Sequence, residues 1–130
     1  GVFFDGQIFD AHKFISDIVR SAEKSIILID NFVDDTVLTL FSKRRQGVAL
    51  KILTKNLSKQ LILDTRKFNE QFPPAEIKEF SYSHDRFMII DGKDLYLFGA
   101  SLKDLGKKWF GFARIDVGVA EVLTKLGRLK

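Results

Sequence analysis

Apolar segments alternate with segments of helical periodicity in the first half of the chain, and this alternation restricts the fold most strongly. Between positions 8 and 22, apolar residues recur at spacings of three and four, which predicts an amphipathic helix. The run 25–30 is apolar on both strand faces, as expected for a central strand covered by helices. The order strand, helix, strand, helix, strand, helix predicts an α/β domain with a mixed sheet flanked by helices.

Capping residues, prolines and a turn give the other boundaries. Asp34 and Ser58 are the expected N-caps of a second and a third helix, and Pro73-Pro74 ends the third. The residues 91–94, Asp-Gly-Lys-Asp, predict a hairpin turn. The remaining expected elements are strands over 2–4, 48–53, 77–80, 86–91, 95–98 and 110–117, and a closing helix carrying Val119, Val122, Leu123 and Leu126.

The length of 130 residues suits one domain, without a linker or an internal repeat. Because the chain begins at Gly1 and enters apolar sequence at once, we expect a domain excised from a longer protein. The absence of cysteine excludes thiolate metal sites, cysteine nucleophiles and disulfides, and fits a reducing compartment, so we expect a cytoplasmic protein. No apolar run approaches the roughly 20 residues that span a bilayer, so no membrane partner is expected.

The net charge is +4 and the sequence pI about 9.4, which favours anionic partners, nucleic acid first among them. Plain solubility explains the same charge equally well.

The two histidines of the chain differ in their surroundings. His12 lies at the edge of the apolar face of the first helix, where a structural role is expected. His84 belongs to a His-x-Arg-x-x-x-x-Asp pattern with Arg86 and Asp91. Residues two apart in a strand share a face, so His84 and Arg86 are expected to point together as nucleophile and phosphate-neutralising cation. Asp91 completes the motif and is counted with His84 and Arg86 among the catalytic residues. Strand parity places it on the other face, where bracing the turn or the site from behind is expected rather than proton transfer.

Taken alone, this spacing also describes a histidine at a strand end beside a solvated arginine. The surrounding sequence resembles the phospholipase D superfamily, whose His-x-Lys-x-x-x-x-Asp signature is followed one hairpin later by Gly-Ser-x-Asn. Here the segment 99–103 reads Gly-Ala-Ser-Leu-Lys, with Ser101 as the matching hydroxyl. The segments 24–30 and 45–53 are similar to the family's first core strand and its Arg-Gly-Val strand. The resemblance implies a phospholipase D-like sandwich of sheet and helices.

The resemblance also implies a function, that of a phosphodiesterase- or nuclease-like domain acting on phosphodiester bonds of nucleic acid, and a mechanism. His84 would attack phosphorus to form a phosphohistidine, while Arg86, Ser101 and Lys103 hold the phosphoryl oxygens. Family members use two such motifs around one site, and this chain has one, so a working site implies a homodimer. No metal or other cofactor is needed on this scheme.

Three departures from the family pattern bear on activity. Arg86 replaces the family's lysine, Lys103 replaces its asparagine, and the segment 107–112 lacks the acid that orients the histidine in many members. Asp104 is the only nearby substitute.

These departures favour a rival hypothesis of another class, a catalytically silent dimerisation and DNA-backbone-binding module. Lys103, Lys107, Lys108 and Trp109 form a basic loop with an aromatic residue, a composition that suits backbone contact and base stacking. The competing interpretation is a solvated turn with Trp109 buried in the core. A third reading, hydrolysis of a lipid or small phosphodiester, lacks an amphipathic membrane-binding segment.

A narrower resemblance concerns the run from His84 to Phe110. It is similar to the C-terminal segment of bacterial proteins that carry a phage-antirepressor-type DNA-binding domain at their N-terminus. This resemblance implies a nucleic-acid partner and a DNA-binding parent protein.

Overall fold

The computed structural model describes residues 1–115 and 118–128. Its strands are β1 (Val2–Phe3), β2 (Ser25–Ile29), β3 (Ala49–Thr54), β4 (Ala75–Glu79), β5 (Arg86–Ile90), β6 (Asp94–Phe98) and β7 (Phe110–Ile115). Its helices are α1 (Ile8–Ser21), α2 (Asp35–Phe41), α3 (Lys59–Gln71) and α4 (Val119–Arg128), with a short 3₁₀ turn at Leu102–Asp104.

The described strands form one mixed sheet in the order β1-β7-β6-β5-β2-β3-β4. β2, β3 and β4 run parallel, as the connections through α2 and α3 require. The other neighbouring strands pair antiparallel. The predicted α/β class and mixed sheet are therefore confirmed.

The two sheet faces are covered by different helices. On one face, α1, α2 and α3 bury alternate strand residues in the main core, among them Ile26, Leu28, Leu50, Ile52, Met88 and Ile90. On the other face, Leu123 and Leu126 of α4 line a cavity together with Ile27 and Leu53. None of the described helices has the length and apolar character needed to cross a membrane.

The predicted helix boundaries have the expected physical causes. The Asp34 carboxylate accepts the N–H of Thr36 at 3.0 Å, and the Ser58 hydroxyl accepts the N–H of Leu61 at 3.1 Å. Helix α3 ends at Gln71, just before the two prolines.

The strand expected at 77–80 was misplaced, because β4 begins at Ala75. It is an edge strand whose polar residues alternate with apolar ones, so only part of it reads as a β run. The strand expected over 110–117 is confirmed as far as Ile115, and positions 116 and 117 lie outside the described residues.

Arg44 joins the end of α2 to the segment that follows α3. This side chain is only 6% exposed, and its guanidinium donates to the carbonyls of Phe41, Val48, Pro73 and Pro74. Burial lowers the pKa of Arg44. Nothing in the sequence distinguishes Arg44 from a surface arginine, so its burial could not be predicted.

Candidate phosphate-binding site

A cavity of about 410 Å³ opens at the edge of the sheet where β5 begins and β6 ends. β2 and β3 end at this same edge, because β2 pairs antiparallel with β5 and parallel with β3. Five polar residues and one large aromatic residue line the cavity. They are Arg86, Ser101, Asp104, Lys107 and Lys108, with Trp109 as the aromatic.

Arg86 is the first residue of β5 and is half-buried. Along the strand it shares a sheet face with Met88 and Ile90, which lie in the main core. Within the described part of the chain, its guanidinium makes no hydrogen bond or ion pair, and its Nε is buried without a partner. Buried donors are almost always paired in folded proteins, so this guanidinium has unused capacity to bind an anion.

Asp30 follows β2 directly and is fully buried beside this site. Its carboxylate accepts the N–H of Leu102 at 2.9 Å, the N–H of Phe32 at 3.0 Å and the hydroxyl of Ser101 at 3.0 Å. Burial raises the pKa of Asp30, although these three donors and the charge of Arg86 act to lower it. Asp30 therefore fixes the turn that follows β6 against the end of β2.

Two more buried polar atoms without partners lie at this edge. They are Oδ1 of Asn31, two residues beyond β2, and Oγ1 of Thr54, the last residue of β3. Together with Nε of Arg86, they are the buried side-chain polar atoms that lack a hydrogen bond among residues 1–115 and 118–127. All three atoms thus lie at the same edge of the sheet, and Arg86 is the one whose residue lines the cavity.

His84 is exposed and lies in the bend that precedes β5. The bend is held by Nδ2 of Asn31, which donates to the Ser83 carbonyl at 2.8 Å. Because β5 begins at Arg86, strand alternation does not extend back to His84, and His84 is not among the residues that line the cavity. The imidazole makes no hydrogen bond or ion pair with the residues described. Its role as a nucleophile stays a prediction.

Asp104, the expected substitute for the missing acid, pairs with lysines instead. Its Oδ1 lies 3.1 Å from Nζ of Lys103 and 3.6 Å from Nζ of Lys107. Lys103 is therefore turned to Asp104 and does not line the cavity.

Ser101 lines the cavity but is only 2% exposed. Its hydroxyl lies 2.7 Å from the Phe32 carbonyl and 3.0 Å from Asp30 Oδ2. The single hydroxyl hydrogen therefore points inward, and phosphate binding by this oxygen stays a prediction.

Asp91 lies at the opposite end of β5, about 16 Å from Arg86 along the strand. Its carboxylate accepts the backbone N–H groups of Glu23, Lys24 and Ser25. Burial acts to raise its pKa, but these donors outweigh burial and lower the pKa below its ordinary value. These contacts hold the turn against the start of β2. Because β5 ends at Ile90, strand parity does not extend to Asp91. A catalytic role for Asp91 stays untested.

The basic loop contributes Lys107, Lys108 and Trp109 to the rim of the cavity. Lys108 makes no ion pair with the described residues, and Trp109 is 68% exposed. The interpretation that buried Trp109 in the core is therefore wrong. His12 is half-buried and lines a separate groove with Thr36 and Lys43, between α1 and α2.

No protein-family model matches the sequence, and no curated protein matches it significantly. Solved structures do match. NucT from Helicobacter pylori superposes with a TM-score of 0.66 at 15% identity, over 98% of this chain and 91% of NucT. TrmBL2, an archaeal chromatin protein whose structure shows a novel mode of DNA binding, superposes with a TM-score of 0.63 at 18% identity. That match covers 99% of this chain and 51% of TrmBL2, so the chain spans about half of TrmBL2.

At such low identities, the likeness shows the fold alone. The fold is phospholipase D-like, as the sequence resemblance implied.

Proposed function

We propose that this domain binds the phosphodiester backbone of nucleic acid in the cavity beside Arg86. The observation that carries this proposal is the half-buried guanidinium of Arg86, which has no hydrogen bond or ion pair among the described residues. A planar guanidinium offers paired N–H donors that match two nonbridging phosphate oxygens. Desolvation makes each such bond stronger than it would be at the surface.

The rim of the cavity extends the positive charge beyond Arg86. Lys108 has no ion-pair partner among the described residues, and Lys107 shares Asp104 with Lys103. One acid thus faces two lysines, so the rim keeps a net positive charge. Cations at the rim can neutralise phosphates that flank the bound one.

DNA is the partner we propose, within a longer parent protein. The DNA binding named for TrmBL2 supports this choice. So does the resemblance of the run from His84 to Phe110 to the C-terminal segment of antirepressor-type DNA-binding proteins. In this reading, residues 1–130 form one domain that holds the backbone while another domain reads the sequence.

The test is a titration of labelled DNA with wild type, Arg86→Gln and the charge-matched control Arg66→Gln. Arg66 is an exposed residue of α3 and does not line the cavity. Losing charge-assisted bonds worth about 1.5–3 kcal/mol should weaken binding by Arg86→Gln roughly 10- to 100-fold. The control should change affinity about twofold at most. Equal losses of DNA affinity in Arg86→Gln and Arg66→Gln would show that the cavity is not the DNA-binding site.

Hydrolysis is the second candidate function, and the exposed imidazole of His84 favours it. His84 lies two residues before Arg86, at the same sheet edge, in a phospholipase D-like fold. A ring nitrogen would form a P–N bond while the P–O bond to the leaving group breaks. The same histidine of a second copy would give the leaving oxygen its proton, and water would then release the phosphate. This scheme requires a homodimer, since the chain supplies one such histidine.

The assay is hydrolysis of bis(p-nitrophenyl) phosphate in the presence of a chelator. His84→Ala should abolish turnover, and His12→Ala is the matched control, because it removes the only other histidine of the chain. Sedimentation of the active protein should give a dimer. Salt-dependent DNA binding with no turnover in the wild type would leave the binding module as the function.

A further inference from the structure

Trp109 is a large aromatic side chain held in a fixed, exposed position at the rim of the Arg86 cavity. It is 68% exposed and lines the same cavity as Arg86. Its indole Nε1 donates to the Asp5 carboxylate at 2.9 Å. The Phe4 ring meets the indole edge-to-face, with centroids 4.6 Å apart and planes at 90°.

The loop that carries Trp109 also contacts the N-terminal segment. The Gly106 carbonyl accepts the N–H of Gly6 at 3.1 Å. Gly106 has a φ of +78°, and a Cβ built there would lie 2.4 Å from Cα of Ile8, so the loop packs directly on the start of α1. The indole therefore has a defined orientation before any ligand arrives.

We propose that Trp109 is a stacking platform for an unpaired nucleobase, which makes single-stranded nucleic acid the preferred ligand. This inference rests on the proposed phosphate-binding function of the same cavity. In a duplex each base face is covered by its neighbours, whereas in a single strand the face can stack on an aromatic side chain. Because Trp109 and Arg86 line one cavity, a single nucleotide can place its base on the indole and its phosphate at the guanidinium.

Because the indole is already held in place, base stacking on Trp109 should cost less conformational entropy. A free surface tryptophan loses side-chain freedom when a base stacks on it, which offsets part of the gain. Here Asp5 and Phe4 have already restricted the indole, so less freedom is lost on binding. Lys107 and Lys108 precede Trp109 in the chain and can contact the phosphates beside the stacked base.

The experiment compares three ligands of about ten nucleotides, a length within the range of single-stranded binding sites. They are oligothymidylate, an abasic strand with the same phosphates, and a duplex. Trp109 is the only tryptophan of the chain, so quenching of intrinsic fluorescence reports stacking directly. We expect oligothymidylate to quench the fluorescence and to bind at least about tenfold more tightly than the abasic strand or the duplex.

The variants Trp109→Ala and Trp109→Phe separate stacking from charge. Trp109→Ala should reduce oligothymidylate affinity to that of the abasic strand, and Trp109→Phe should keep most of the preference. The control is Phe9→Ala, which removes an aromatic side chain that is 75% exposed but does not line the cavity. If Trp109→Ala does not fold, the wild-type fluorescence and Trp109→Phe still decide the question.

The outcomes distinguish this inference from the function on which it rests. Equal affinity for oligothymidylate and the abasic strand, or for oligothymidylate and duplex, overturns the stacking role while the phosphate cavity stands. Unchanged binding of every ligand by Arg86→Gln overturns the phosphate cavity itself. No binding of any ligand by the wild type overturns both.

Discussion

Replacing Asp30 by alanine tests how the turn after β6 is held in place. The carboxylate accepts three hydrogen bonds, from Phe32, Ser101 and Leu102. After the substitution, the Ser101 hydroxyl can still donate to the Phe32 carbonyl, 2.7 Å away. The N–H of Phe32 belongs to a residue that is 45% exposed, so it can turn to water.

Most of the lost stability therefore comes from one backbone group, the N–H of Leu102. Leu102 is 1% exposed, so its N–H is left buried without an acceptor, which costs about 1–3 kcal/mol. The charge of Arg86 also loses the acid that opposes it, which adds to the loss. Burial of the carboxylate acts in the opposite direction, and we expect Asp30→Ala to lower the free energy of unfolding by about 2–4 kcal/mol.

The assay is urea denaturation at pH 7, followed by far-ultraviolet circular dichroism. Asp30→Asn is the matched control, because it keeps the shape and one acceptor oxygen and should cost only about 1 kcal/mol. A loss below about 1 kcal/mol in Asp30→Ala would refute the claim that this carboxylate holds the turn.

The same pair of proteins tests the direction of the Asp30 pKa. Because burial raises this pKa, the folded chain holds the proton more tightly than the unfolded chain does. The stabilisation is fully present below the unfolded-state pKa, near pH 4, and is lost as pH rises through the folded-state pKa. The stability advantage of wild type over Asp30→Asn should therefore shrink as pH rises from 4. An advantage that grows over this range would contradict the assignment.

Four further substitutions test the rest of the fold by urea denaturation. Asp91→Asn should cost about 1–2 kcal/mol at pH 7. This difference should fade as pH drops below about 4, because the lowered pKa of Asp91 stabilises the fold only above it. An unchanged difference at pH 2 would contradict this. Arg44→Met should cost about 2–4 kcal/mol, since four backbone carbonyls lose their donor, and a neutral result would show that they find other partners. Gly47→Ala should cost about 1–2 kcal/mol for its φ of +85°. Gly106→Ala should cost at least about 2 kcal/mol more than Gly47→Ala, since the added Cβ would collide with Ile8. Equal losses of stability in the two variants would refute that contact.

The order of elements could be predicted because each rests on a local signal. The helical periodicity of α1, the caps at Asp34 and Ser58 and the two prolines each act within a few residues. β4 was misplaced because its pairing with β3, a long-range property, defines its start. Its exposed glutamates and lysine leave little apolar signal to detect.

Only part of the site could be predicted in the same way. Arg86 was found through its spacing to His84, and the structure gives this arginine an independent reason to matter, its unpaired and half-buried guanidinium. Asp30 was missed as a site residue because its role arises from donors more than 70 positions away in the chain. The one available signal was an acid at the end of an apolar strand, where a charge is costly without partners. The expectation that His84 shares a face with Arg86 assumed that the strand runs through both, whereas β5 starts at Arg86.

The most direct measurement of the central claim is an NMR titration of the arginine side-chain Nε–H signals with a short single-stranded oligonucleotide. Nε of Arg86 lacks a partner among the described residues, whereas Nε of Arg44 already donates to the Val48 carbonyl at 3.1 Å and serves as an internal reference. We predict a saturable shift of the Arg86 signal, together with the backbone amides of Lys107 and Lys108, while the Arg44 signal stays in place. An Arg86 signal that does not move, while shifts appear elsewhere on the surface, would contradict the account.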